Sequence, residues 1–252
     1  MRIDLNADIG ESFGAYSLGD DSALLRSVTS ASVAAGFHAG DPTVLRATIR
    51  AARECGVAVG AHPSFPDLTG FGRRDMKLSA QQAEDLVLYQ IAAVSGVAHA
   101  EGVRLAHVKP HGALYNMAAH DRELAEAIAR AVFAADAGLA LYGPPRSALA
   151  AAGRALGLRV VVEGFPDRAY RGDGSLVPRD QPGAVVASVE DVVTRAIQMA
   201  TERTVVAVDG SLVQLDVDTL CIHGDTAGAA TMAAWIRAGL NAAGVDVRSP
   251  RG

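Results

Sequence analysis

Residues 32–62 read SVAAGFHAGDPTVLRATIRAARECGVAVGAH, and this stretch decides the fold. It opens on a short apolar run over 32–35, too brief for a helix and suited to a buried strand. Gly36, His38 and Gly40 then turn the chain. Asp41 followed by Pro42 marks a helix start, an acidic N-cap with proline at the first helical position. The spacing predicts a helix over 43–54, stopped by Gly56. A second apolar run over 57–59 leads directly to His62. Strand, helix and strand in so few residues form a βα step that returns the chain parallel to itself.

The step repeats. Strands are expected at 3–5, 105–108, 139–142, 159–162 and 220–222, and helices at 23–30, 79–100, 121–133, 147–156, 189–200 and 226–243. Ser79 with Gln82 three residues later has the form of a capping box. Residues 204–208 and 211–215, around Asp209 and Gly210, read as a β-hairpin. About seven such steps with apolar strands predict an α/β fold, a parallel sheet covered by helices. Closed into a TIM-like barrel, it would carry its site at the carboxyl ends of the strands. An open doubly wound sheet is the alternative, but the first strand is not followed by G-x-G-x-x-G. With no linker and no low-complexity stretch, residues 1–252 read as a single domain.

Composition removes several function classes. A net charge of −5 and 5% aromatic residues give neither the basic stripe nor the stacking platform of a nucleic-acid binder. No apolar run approaches the roughly 18 residues of a membrane span, and the start has no cationic, signal-like region. Cys55 and Cys221 lack C-x-x-C spacing, which suits reduced thiols and a cytoplasmic location.

The chemistry gathers at strand ends. Four of the seven histidines, His38, His62, His111 and His223, follow a short apolar run and lie against glycine or proline. In a parallel barrel all four would converge on one mouth. In the first strand Asp4, Asn6 and Asp8 alternate, so an extended backbone turns all three to one side. Asp8 is a candidate base or metal ligand, or simply an Asx turn. Asp41 serves equally as a helix cap. Arg73 and Arg74 are adjacent in a loop, so one is placed to clamp a carboxylate or phosphate while the other meets solvent. Lys109 is one of two lysines among 23 basic residues, and it lies two positions from His111. That pairing suits an oxyanion or phosphoryl stabiliser, or a lysine with depressed pKa. Glu163 directly ends an apolar strand, whereas Asp167, Arg168 and Arg179 belong to a charged loop, where most charges are discounted as solvent-facing. His223 and Asp225 are close enough for an oriented base. No P-loop, G-x-S-x-G elbow or H-E-x-x-H helix is present, and no close pair has zinc-site spacing, so metal binding is left open.

Seven motifs occur together and in order: DLNADIGE, GFHAGDP, GAHPSFPD with GFGRR, HVKPHGALYN, EGFPDRAY, LVPR with PGA, and TLCIHGD. Their combination resembles the LamB/YcsF family over nearly the whole chain. The resemblance implies a distorted seven-stranded TIM-like barrel of the glycoside hydrolase/deacetylase type. It further implies ATP-dependent ring opening of 5-oxo-L-proline to L-glutamate, as the A subunit of a 5-oxoprolinase working with B and C subunits. ATP, with Mg2+, would be the co-substrate, and assembly into a homo-oligomer is left open. Two departures are visible: Ala35 stands where relatives commonly have cysteine, and Pro166 where alanine is usual. The first argues against an essential cysteine there. The catalytic set expected is Asp8, His38, His62, Lys109, His111, Glu163 and His223. Asn6, Asp41, Arg73, Arg74, Arg168 and Asp225 are expected at substrate or phosphate. Alanine at Lys109 or His111 is expected to abolish turnover and spare the fold. Two competing functions are a stand-alone metal-dependent amidohydrolase or deacetylase, and a non-catalytic scaffold subunit.

Overall fold

The structure is a computed structural model that describes residues 1–179, 181–224 and 228–250. Seven parallel strands close a barrel: β1 (Arg2–Ile9), β2 (Ser30–Ala34), β3 (Ala58–His62), β4 (His107–Val108), β5 (Ala140–Gly143), β6 (Arg159–Gly164) and β9 (Thr219–His223). Closure comes from β1, which pairs with β2 on one side and β9 on the other. β7 (Thr204–Val206) and β8 (Leu212–Gln214) make the expected antiparallel hairpin outside the ring. A short β10 (Asp246–Val247), not expected from the sequence, adds to the start of β1.

The helices sit outside. The first, α1 (Asp21–Leu24), is capped by Asp20 and is shorter than the helix expected over 23–30. That helix yields to β2 because the Thr29 and Ser30 hydroxyls are drawn onto the Asp4 carboxylate, both at 2.7 Å. The next, α2 (Pro42–Glu54), starts as expected: the Asp41 side chain accepts from the Thr43 and Val44 amides. The capping box of Ser79 and Gln82 is present at the start of α3 (Ala80–Ala100). A further turn, α4 (Gly112–Ala118), follows β4 directly and was not expected. Then come α5 (Arg122–Ala135), α6 (Ala148–Ala155), α7 (Val189–Thr201) and α8 (Ala229–Ala242). None of the described helices is long and apolar enough to cross a membrane.

Strand alternation sorts the side chains. On β1, Ile3, Leu5, Ala7 and Ile9 join the apolar layer between barrel and helices, all 1% exposed or less. Asp4, Asn6 and Asp8 point into the barrel, where they are buried as well. The interior is therefore polar. At its floor Asp4 accepts from Thr29, Ser30, Thr219 and Tyr142. Burial raises the Asp4 pKa despite these four donors. One layer up, the His107 ring stacks on Tyr142 and its Nε2 lies 3.2 Å from Ser32 Oγ. Gly60 is required beside it, because any Cβ there would collide with the His107 ring.

Candidate active site

Lys109 enters the barrel from the end of β4 and meets three strands. Its ammonium lies 2.9 Å from Asp8 Oδ1 and 2.8 Å from Glu163 Oε1, and donates to Asn6 Oδ1 at 3.2 Å. Cys221 Sγ is 3.0 Å away. Glu163 in turn accepts from Asn6 Nδ2 at 2.9 Å and from Tyr115 OH at 2.8 Å. Burial alone would neutralise this lysine, but Asp8, Cys221 and Glu163 outweigh it and hold the ammonium above the ordinary lysine range. The depressed lysine pKa allowed by the sequence is thus corrected. Asp8 is likewise pushed up by burial and pulled further down by His62 and Lys109, so it stays ionised.

Above this layer three imidazoles meet. His38 and His111 stack with ring centres 3.9 Å apart, and His62 stands edge-on to both. His62 Nδ1 is 2.6 Å from the Lys109 carbonyl, and its Nε2 is 3.4 Å from Asp8 Oδ2. His111 Nε2 is 2.8 Å from the Phe71 carbonyl. Glu11, in the turn after β1, brings Oε1 to 3.4 Å from His38 Nε2 and 3.7 Å from His111 Nδ1. The donor atoms of Glu11, His38, His62 and His111 all lie within 4.8 Å of one another, a spacing that a metal ion could bridge. Burial lowers the pKa of both His38 and His111, with neighbouring imidazoles adding to the effect. The loop carrying Phe71 folds in through a left-handed turn, φ +55° at Phe71 and +64° at Gly72. A side chain at Gly72 would collide with Ser64 Oγ.

His223 approaches from β9. Its Nδ1 is 2.9 Å from Asp167 Oδ2, and its ring stacks on Phe165. Burial raises the Asp167 pKa, but His223 and then Arg179 and Arg168 bring it below the usual value. A cavity of about 220 Å³ adjoins this pair, with Pro166, Val186, Ile222 and Met232 in its wall.

The family model described as LamB/YcsF family matches residues 3–252. The chain belongs to the LamB/YcsF family. It is 55% identical over 248 residues to a Tolumonas auensis protein named as the A subunit of 5-oxoprolinase, covering 98% of this chain and 99% of that one. The crystal structure of a lactam utilization protein from Thermus thermophilus superposes with a TM-score of 0.94 at 50% identity, covering 98% and 99%. A peptidoglycan deacetylase of Bacillus subtilis shares the fold alone, at a TM-score of 0.50 and 16% identity over 99% and 87% of the two chains. The seven-stranded deacetylase-type barrel expected from the motifs is thus the fold observed.

Within the LamB/YcsF barrel, Asn6, Asp8, His38, His62, Lys109, His111 and Glu163 form one contiguous cluster. His223 is reached through Phe165, whose ring centre is 5.9 Å from Lys109 Nζ. Other expected site residues have structural work. Asp41 caps α2 and also accepts from the Gly14 amide at 2.8 Å. Arg168 braces its own loop through the Val177 and Ala184 carbonyls. Arg74 is exposed and pairs with Asp67, whose pKa it lowers to about 2 through a side-chain hydrogen bond. Arg73, also exposed, sits over the Phe71 ring at 5.0 Å, on the mouth side. Asp225 lies outside the described residues.

Four contributors escaped the sequence reading: Glu11, Tyr115, Cys221 and Asp167, the last set aside as a loop charge. The available signals were the acid closing DLNADIGE, the tyrosine in HVKPHGALYN, and alternation placing Cys221 inward with His223.

Proposed function

We propose that this chain opens the ring of 5-oxo-L-proline to give L-glutamate, coupled to ATP cleavage, as the A subunit of a multi-subunit 5-oxoprolinase. The names of relatives matching almost end to end support this reading. The single observation that carries the chemistry is the Asp8–Lys109 pair at 2.9 Å, an ionised base beside a fixed cation inside the barrel, beneath the imidazoles.

A lactam carbonyl is stabilised by its nitrogen and resists water. Transfer of the γ-phosphoryl group forms an O–P bond at the lactam oxygen and breaks the bond to ADP. The ring carbon is then open to addition. Asp8 takes the proton of the attacking water, the C–N bond breaks to leave an acyl phosphate, and a second water hydrolyses that to glutamate and phosphate. Lys109 stabilises the negative charge that develops on oxygen. His223, oriented by Asp167, protonates the departing nitrogen. Arg73, exposed and seated over the Phe71 ring, is proposed to bind the substrate carboxylate or the phosphates of ATP bound with Mg2+. The B and C subunits are proposed to complete the nucleotide site, as the sequence has no P-loop lysine motif.

The test is 5-oxoproline-dependent phosphate release and glutamate formation, measured with this chain alone and with its B and C subunits. Turnover only in the mixture with ATP supports the proposal. ATP-independent turnover by the chain alone would establish the amidohydrolase reading instead. If alanine at His223 left the mixture fully active, its role as the acid would be wrong, and full activity with alanine at Lys109 and His111 as well would establish the scaffold reading.

A further inference from the structure

The imidazole cluster holds an electrostatic conflict. His62 Nδ1 and His111 Nε2 each face a backbone carbonyl, at 2.6 and 2.8 Å. A carbonyl only accepts, so each neutral ring must place its one proton there. The remaining nitrogens, His62 Nε2 and His111 Nδ1, then carry lone pairs, and they face each other at 2.9 Å. Two lone pairs at that distance repel unless a positive centre joins them.

His38 sharpens the point. It is 1% exposed, and neither ring nitrogen has a hydrogen-bond partner among the described residues. A buried imidazole left this way points to an unseen ligand. Its Nε2 lies 3.4 Å from Glu11 Oε1, which brings a carboxylate to the same spot.

We propose that Glu11, His38, His62 and His111 bind one divalent transition-metal ion of the zinc or cobalt class. A tetrahedral ion with bonds of about 2.0–2.1 Å separates its ligands by about 3.3 Å. The contacts of 2.9, 3.4 and 3.7 Å straddle that edge length. Three imidazoles and one carboxylate are the borderline donor set such ions prefer, whereas Mg2+ and Ca2+ favour oxygen. The two carbonyls act as outer-shell anchors that fix tautomer and ring orientation. Each ligand comes from the carboxyl end of a different strand, β1 to β4, so the site exists only once these four neighbouring strands have paired. The ion would be a Lewis acid next to Asp8, able to polarise a carbonyl or a water there.

This inference needs no lactam and stands apart from the proposed reaction, because binding is measured without substrate. Chelator-treated protein is titrated with Zn2+ by calorimetry and with Co2+ by visible absorption, alongside Glu11→Gln and His38→Gln, each checked for folding by circular dichroism. The expected result is one ion per chain, with affinity reduced at least about tenfold in each folded variant. Thermal unfolding of the wild type is expected to move up on adding Zn2+. Absence of Zn2+ and Co2+ binding at millimolar metal overturns the proposal, as does binding unchanged in both variants. A proton shared between His62 and His111, seen as a low-field imidazole resonance in metal-free protein that persists when Zn2+ is added, also overturns it.

Discussion

Replacing Lys109 with methionine keeps the aliphatic stem and removes the charge. In the wild type that charge lies 2.9 Å from Asp8 and 2.8 Å from Glu163, with both carboxylates buried. Deleting one partner of a buried ion pair costs about 3–5 kcal/mol, because the remaining charge has lost its compensation. For a chain of this size each kcal/mol lowers Tm by about 2–4 °C, so the variant should melt roughly 6–20 °C lower. The sequence-based expectation that the fold is spared is therefore revised. Adding Glu163→Gln removes one stranded carboxylate, and the double variant should recover at least about 1 kcal/mol relative to the sum of the single changes. Urea and thermal unfolding by circular dichroism measure this cycle, and the 5-oxoproline-dependent ATPase assay should show turnover lost in both lysine variants. If Lys109→Met melted with the wild type, or if the two changes added without coupling, the buried ion triad would not be what organises the barrel interior.

Gly60→Ala drives a methyl group into the His107 ring and should cost about 1–3 kcal/mol by overpacking; in a His107→Ala background the same change should be nearly neutral, as thermal melts of the four proteins would show. Asp167→Asn leaves His223 without its anionic partner, and kcat should fall about 10²- to 10⁴-fold with KM little changed; a variant with full kcat would exclude the oriented acid. Glu101 is held by Arg50 and Arg46, which lower its pKa from 4.5 to about 2. A depressed carboxylate stabilises the fold above its unfolded pKa and loses that effect as pH falls through the folded value. The Tm gap between wild type and Glu101→Gln should thus be open at neutral pH and close between pH about 4.5 and about 2; a gap that widened in acid would refute the pairing.

The sequence by itself determined the order of the barrel strands and of most helices, β10 and α4 excepted, the polar side of β1 and the strand ends that deliver His38, His62, His111 and His223. These are local properties: backbone periodicity, N-caps such as Asp41, and glycine or proline where a strand stops. What the tertiary structure decided was partnership. Lys109 looked like a lysine beside a histidine and proved to be held by Asp8 and Glu163, residues about a hundred and about fifty positions away in the chain. Asp167 and Arg168 are neighbours in one charged loop, yet the first orients His223 and the second braces backbone. Glu11 reaches the imidazoles because the turn after β1 folds back over the mouth. The reason is physical: spacing along a strand fixes which side a residue faces, whereas barrel closure and register fix what it meets there.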